Sequence, residues 1–331
     1  MATKKKSSNA KKNSSKSPKK STVAAKSKSK STKPTPETKN ETTKKVDSVS
    51  ETKSSAAASE VKVTRGSTLS KKDAALKKLN GWNWIFALLY AAQAAAVVFY
   101  ANDVFRGITS SYLTEDKIAG ENSAVYAQAV RHLADLNMAY VLAALLGVYA
   151  LMHLLADTLF RKKYESDLGR QRNALRWLGS GLGNALMVAA TAILVGVSDV
   201  SLLFMLMVSV VIGVINTSID SGEEVGGFMA YVKKSPLLQT AGTIGWLAPW
   251  IAIGLYLVGS EKYGSGVQAY QYALYATAFF GSTLQMMYLN RKAQKRAVGD
   301  VDYANVDWTY SALSLIVAAA FVWQIFFAIM K

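Results

Sequence analysis

Residues 308–330 read WTYSALSLIVAAAFVWQIFFAIM, and this run without a single charged side chain decides the class of fold. An α-helix needs about 20 largely apolar residues to cross the hydrocarbon core of a bilayer. Helices of water-soluble bundles carry a polar face at a period of about 3.6 residues. Residues 185–197 and 202–215, by contrast, are apolar around most of a helix. The chain is therefore predicted to be an integral membrane protein.

Six further windows of the same kind precede this run, and none of them contains Asp, Glu, Lys or Arg. They are residues 82–101, 136–156, 177–196, 200–219, 237–259 and 269–289. The sequence thus predicts an all-α membrane protein, a bundle of seven transmembrane helices over residues 81–331. Its longest connection is an outer loop at residues 102–135, where residues 108–113 favour a short strand ribbon because they are rich in β-branched and aromatic side chains.

The first 80 residues have a different composition and are predicted to be a disordered tail. Residues 1–70 contain 18 Lys or Arg against 5 Asp or Glu, and no aromatic residue. Such a segment buries too little apolar surface to offset the entropy lost on ordering. Its charge suits anionic lipid headgroups or the phosphates of nucleic acid, or it acts only as a solvated orientation signal. Nucleic acid is the disfavoured partner, since the tail has no aromatic ring to stack on bases.

The positive charges of the short loops predict the orientation of the bundle. Sixteen Lys and Arg residues from position 71 onward fall on the side of the N-terminus, and only five fall on the other side. Cytoplasmic loops of membrane proteins carry the excess of positive charge. We therefore expect a multi-pass protein of the plasma membrane with its N-terminus in the cytoplasm and its C-terminus outside the cell.

Two counts exclude whole classes of chemistry. The chain contains no cysteine, which excludes disulfides, thiolate zinc sites and thiol nucleophiles. It contains two histidines, His132 and His153, too few for the usual metal or hydrolase sites. The sequence therefore predicts neither an enzyme nor a metal site.

An ordered series of short motifs along residues 82–331 resembles the heliorhodopsins. The matching residues are Gln93 with Asn102-Asp103, His153 with Phe160-Arg161-Lys162 and Tyr164, Arg176-Trp177, Gly196 with Asp199, Pro249-Trp250-Ile251, Phe279-Phe280 with Tyr288-Leu289, and Leu313-Ser314-Leu315 with Trp323-Gln324-Ile325-Phe326. The resemblance implies a seven-helix bundle, often dimeric, with retinal bound as a protonated Schiff base to a lysine of the seventh helix. It also implies a glutamate counterion on the third helix.

This chain departs from the family at both ends of that ion pair. Aligned on Trp323-Gln324, the lysine position is Ala318, and the glutamate position two residues after Arg176-Trp177 is Gly179. A retinal imine requires the primary amine of a lysine, and no predicted span contains one. A buried cation would also need a nearby anion, because an unpaired charge is costly inside a membrane. We therefore expect no covalent retinal and no other cofactor.

The candidate site is the pocket that retinal would have left. Its predicted lining comprises Ala318, Gly179, His153, Trp246, Pro249 and Trp250. A histidine inside a bundle is more often a hydrogen-bonded core residue than a proton carrier, and we favour the first role for His153. The tryptophans either line the pocket or serve as packing and interface anchors.

The functional prediction is a heliorhodopsin-like integral membrane protein without covalent retinal. It would act as a non-enzymatic regulatory, scaffold or signalling protein through its cytoplasmic face, as a homodimer in the lipid bilayer, with a cytoplasmic protein partner. The alternatives are transport of a small solute, binding of an apolar ligand, or noncovalent binding of retinal or a carotenoid in the vacated pocket. A further alternative is that the tail tethers nucleic acid to the membrane.

Overall fold

A computed structural model describes residues 52–115, 126–170, 173–220, 236–296 and 303–331. The lysine-rich part of the predicted tail, up to residue 51, lies outside these ranges. The described elements are helix α1 (Thr52–Tyr100), strands β1 (Phe105–Glu115) and β2 (Tyr126–Asn137), and helices α2 (Met138–Asp157), α3 (Arg161–Gly169), α4 (Ala174–Leu194), α5 (Val200–Asp220), α6 (Pro236–Tyr263), α7 (Ala269–Arg296) and α8 (Tyr303–Ile325), with a π-helical turn at Phe326–Met330.

The seven predicted spans correspond to α1, α2 and α4 to α8, which confirms the seven-helix membrane fold. Six of these helices are long and apolar enough to cross a bilayer. Helix α7 is less apolar because Tyr, Gln and Thr recur along it. The predicted start of the membrane domain at residue 81 does not coincide with a helix boundary, because α1 already begins at Thr52.

Local sequence signals explain where α2 and α4 begin and where α4 ends. The Asn137 side chain accepts a hydrogen bond from the backbone N–H of Ala139 and caps α2. The Asn173 side chain likewise accepts a hydrogen bond from the backbone N–H of Arg176 and caps α4. Such caps satisfy N–H groups that have no partner within the helix. After the end of α4, Gly196 adopts a φ of 106°, a left-handed conformation that favours glycine.

The outer connection forms an antiparallel ribbon, as the composition of residues 108–113 predicts. Strand β1 pairs with β2 from Phe105 opposite Asn137 to Glu115 opposite Tyr126, with a bulge after Ile108. The ribbon is longer than predicted and runs directly into α2. A backbone hydrogen bond of 2.8 Å from the Thr109 N–H to the Ser198 carbonyl ties it to the α4–α5 connection.

Helix α4 is central, since 83% of its apolar window is buried, against 28–44% for the other five spans. Small residues let α2 approach it closely. A Cβ atom added at Gly179 would lie 2.8 Å from Cγ of Met152, and one at Gly183 would overlap the ring of Tyr149. The glycines at the start of α4 therefore allow close contact between the two helices.

Candidate functional site

Asp307, in the first turns of α8, lies at the centre of a buried polar cluster. Its Oδ1 accepts hydrogen bonds from Nη1 of Arg176 at 2.7 Å and from Nδ2 of Asn173 at 2.8 Å. Its Oδ2 accepts a bond of 2.7 Å from the hydroxyl of Tyr164. The side chains of Arg176 and Asp307 are only 4% and 3% exposed. One carboxylate thus joins α3, α4 and α8.

Three donors make the burial of this carboxylate possible. Removing two charges from water costs several kcal/mol per ion, and the pair is tolerable only when the geometry is good and the remaining polar atoms are bonded. Burial raises the pKa of Tyr164 well above its ordinary value, and the Asp307 carboxylate raises that pKa further. The phenol therefore stays protonated and continues to donate its hydrogen bond.

The cluster continues along α4 and α8 through Tyr310. The guanidinium carbon of Arg176 lies 5.4 Å from the centre of the Tyr310 ring and 5.7 Å from that of Trp177. The Tyr310 hydroxyl donates a bond of 2.7 Å to Oγ of Ser180. Aromatic faces attract a desolvated cation. These contacts hold the guanidinium between the two helices.

His153 lies next to this cluster, on α2. Its Nδ1 is 3.0 Å from Oδ1 of Asn83 on α1, and its ring centre is 5.2 Å from that of Phe86 and 5.9 Å from that of Tyr90. These contacts match those of a hydrogen-bonded core histidine. Two other interior amides bond away from His153: Gln93 accepts from the Trp323 indole, and Gln324 donates to Thr277.

A cavity of about 40 Å³ lies beside the cluster. Its walls include His153, Gly179, Ser180, Tyr310 and Ser314. One water needs about 10–15 Å³ by this kind of measure together with two to four polar partners. The cavity suits a few waters, whereas pockets for drug-sized ligands measure roughly 300–1,000 Å³.

The tryptophans of α6 belong to a separate aromatic group that packs against α7. Trp246 stacks on Phe279 with ring centres 5.5 Å apart, and Trp250 meets the edge of the same ring at 5.8 Å. Tyr275 donates a bond of 2.9 Å from its hydroxyl to the Trp250 carbonyl. Trp250 is 1% exposed. Both tryptophans therefore act as packing residues in this group.

Pro249 lies one residue before Trp250 and interrupts the hydrogen bonds of α6. A proline has no N–H, so the carbonyl four residues earlier, that of Gly245, loses its helical donor. The hydroxyl of Ser209 on α5 donates to this carbonyl at 2.7 Å. A neighbouring helix thus satisfies the backbone group that the proline leaves open, as membrane helices require.

A covalently bound retinal does not fit the residues at the positions where the resemblance places it. Ala318 is fully buried in the core of α8 and offers a methyl group where an amine is required. Gly179 offers no carboxylate, and Met152 occupies the space next to it. These two positions therefore supply neither the amine that an imine needs nor the carboxylate of its counterion.

The six predicted site residues divide among three places. Gly179 and His153 line the same polar cavity. Trp246, Pro249 and Trp250 lie on α6, with the two tryptophans in the aromatic group, and Ala318 lies in the core of α8.

The sequence interpretation missed the strongest feature, the pair of Arg176 and Asp307. A signal was present: each residue directly precedes a predicted apolar span, at 177 and at 308. Those two spans begin at the same predicted membrane face. Opposite charges placed in this way are candidates for an interhelical ion pair.

The comparisons with known proteins agree with the fold. Residues 79–330 match the family model for heliorhodopsin. No curated protein matches the chain.

Proposed function

Since this chain belongs to the heliorhodopsin family, we propose that it is a retinal-free member that acts as a regulatory or scaffold protein of the membrane. The observation that carries the proposal is that Ala318 and Gly179 offer neither an amine nor a carboxylate, with a cavity of about 40 Å³ beside Gly179. Ala318 is fully buried, and Met152 packs against Gly179. A light-driven isomerisation has no covalent chromophore to act on there, so the protein would act through the bundle itself.

The face that would meet a partner is the one that carries the polar cluster. Helix α3 (Arg161–Gly169) lies there, with exposed Arg161, Lys162 and Lys163. Tyr164 anchors the helix to Asp307 of α8, and Glu165 accepts a bond of 3.0 Å from Asn80 of α1. These hydrogen bonds hold a basic surface in a fixed position. We propose that this surface is cytoplasmic and binds an acidic protein segment, since complementary charge steers association.

The retinal part of the proposal is tested by mixing the purified full-length protein with all-trans retinal and then adding borohydride. We expect no red-shifted absorption band and no retinyl mass on any transmembrane peptide. The Ala318→Lys variant is the matched control, because it supplies an amine at the assigned position. A retinyl adduct on a membrane-spanning peptide of the wild-type protein would refute the proposal.

The partner surface is tested with a photo-crosslinking residue at position 162 in native membranes. We expect a specific protein adduct that disappears when Lys163 is replaced by Glu. A crosslinker at position 262 is the control, because Lys262 lies in the last turn of α6, at the other end of the bundle from α3. Equal adducts from both positions would contradict a partner-binding role for the face that carries α3.

A second candidate function is the passage of a small solute, and one observation favours it. An apolar crevice of about 250 Å³ between α2, α3 and α4 shares Met152, Tyr164, Asn173 and Leu175 with the walls of the polar cavity. Such an arrangement offers a path from the surface to the cavity. Proteoliposomes that take up water or a small solute faster than liposomes without protein would support this function over scaffolding.

A further inference from the structure

A second crevice opens between α1 and α8, away from the polar cavity. It encloses about 210 Å³ and is lined by Lys78, Leu79, Trp82, Ala304, Asn305 and Trp308. The ring centres of Trp82 and Trp308 are 5.5 Å apart, edge to face. Leu79 is buried, whereas Lys78 is exposed. The crevice is therefore an apolar recess beside a pair of contacting tryptophans, with a cation at its edge.

The position of the crevice along the helices identifies its surroundings. The predicted apolar spans that α1 and α8 contain start at residues 82 and 308. All the lining residues lie within two turns of these two starts, so the recess lies at the boundary between headgroups and hydrocarbon. Tryptophan is enriched at this depth, and a lysine near a helix end extends its amine toward the headgroups.

We infer that this crevice binds one anionic phospholipid, with the phosphate at Lys78 and the upper part of an acyl chain against Trp82 and Trp308. Basic pockets between helices on the cytoplasmic side are suited to anionic headgroups. The volume is too small for a whole lipid but large enough for the headgroup region. Lys78 and Leu79 lie at the end of the predicted tail, but the site differs from the predicted contact of the lysine-rich tail with lipid because α1 and α8 together form it. It does not depend on the absence of retinal.

Within the described residues no ion pair engages Lys78, so its charge can meet such a ligand. Asp307 precedes Trp308 in the chain, but its carboxylate points to α4 and accepts bonds from Arg176, Asn173 and Tyr164. It therefore does not neutralise Lys78. An exposed lysine near anionic lipid contributes about 1 kcal/mol, which corresponds to roughly a fivefold change in affinity.

The test is a lipid titration of the full-length protein in detergent, followed by native mass spectrometry. Phosphatidylglycerol and phosphatidylcholine with the same acyl chains are compared. We expect the wild-type protein to retain one phosphatidylglycerol in preference to phosphatidylcholine. The Lys78→Gln substitution should weaken the binding of phosphatidylglycerol about fivefold. Lys262→Gln, at the opposite end of the bundle, is the matched control and should leave the binding unchanged. The basic tail is present in every variant and so cancels in the comparison.

A second measurement locates the lipid. Phosphatidylglycerol brominated near the headgroup should quench tryptophan fluorescence in the wild-type protein and less in Trp308→Phe. Equal retention of both lipids, equal weakening by Lys78→Gln and Lys262→Gln, or unchanged quenching in Trp308→Phe would overturn the inference. Displacement of the lipid by millimolar inorganic phosphate alone would also overturn it, because the site would then bind free phosphate.

Discussion

Asp307 and Asp199 lie at opposite ends of the bundle, and each carboxylate accepts three hydrogen bonds. At the end that carries α3, Asp307 accepts bonds from the side chains of Arg176, Asn173 and Tyr164. All of them are buried, and the ion pair with Arg176 is almost completely removed from solvent.

At the other end, Asp199 accepts hydrogen bonds from three backbone N–H groups. Its Oδ1 accepts from Ser201 at 2.9 Å and from Leu202 at 3.1 Å, which caps α5. Its Oδ2 accepts from Ser111 of the ribbon at 2.9 Å. The carboxylate is partly exposed, so water can replace each of these donors.

Burial, rather than the number of hydrogen bonds, therefore sets the cost of losing a carboxylate. A buried group that loses its partner retains the full desolvation penalty, whereas an exposed group returns to water. The same count of bonds therefore stabilises the two ends by different amounts. Substitution of Asp307 should therefore lower the stability of the fold more than substitution of Asp199.

The largest effect is expected from Asp307→Ala, which leaves the Arg176 guanidinium buried without its carboxylate. The free energy of unfolding should fall by about 3–5 kcal/mol, measured by denaturant titration in detergent. Asp135→Ala removes an exposed carboxylate 3.0 Å from His132 and should change stability by less than about 1 kcal/mol.

A double variant separates the charge from the hydrogen bonds. Arg176→Met combined with Asp307→Leu replaces the ion pair by apolar side chains and should recover most of the lost stability. If the double variant is as unstable as Asp307→Ala, the isolated charge is not the cause, and the comparison between the two ends fails.

An intermediate effect is expected from Tyr164→Phe, which removes one of the three donors to Asp307. Hydrogen bonds to charged groups contribute about 1.5–3 kcal/mol, and we expect a loss in that range. Tyr140→Phe, at an exposed position of α2, is the matched control and should have almost no effect. A loss below about 0.5 kcal/mol in Tyr164→Phe would mean that the carboxylate does not need its third donor.

The smallest effect is expected at Asp199 and depends on pH. The backbone N–H of Leu202, followed by Ser111, lowers the pKa of Asp199 below its ordinary value. A carboxyl group whose pKa is lower in the folded state stabilises the fold at neutral pH, and this contribution is lost as the pH falls through the lowered value. At pH 7 the Ser111 amide should exchange hydrogen faster in Asp199→Asn than in the wild type.

At pH values well below 4 the exchange rates of the two proteins should converge, since both side chains are then uncharged. Comparing the proteins at each pH removes the intrinsic pH dependence of exchange. If the Ser111 amide of the wild type still exchanges more slowly than that of Asp199→Asn in acid, the charge of Asp199 does not hold the ribbon to α5.

The fold could be predicted largely from the sequence, and the candidate site only in part. Seven apolar windows located the seven membrane helices, and the composition of residues 108–113 indicated a ribbon. The short helix α3 between the second and third spans was not predicted, because it has no apolar window. His153 was correctly placed inside the bundle, but its partner Asn83 was not identified. Local patterns do not show which faces of two helices meet.

Two properties follow from the sequence alone: the number of apolar spans, and the absence of a lysine or a carboxylate within any of them. Both depend only on which residues are present and on how many in a row are apolar. The tertiary structure decided which polar groups meet. Arg176 and Tyr164 reach Asp307 across 131 and 143 residues of chain. Such contacts depend on the order and rotation of packed helices, which hydropathy does not encode.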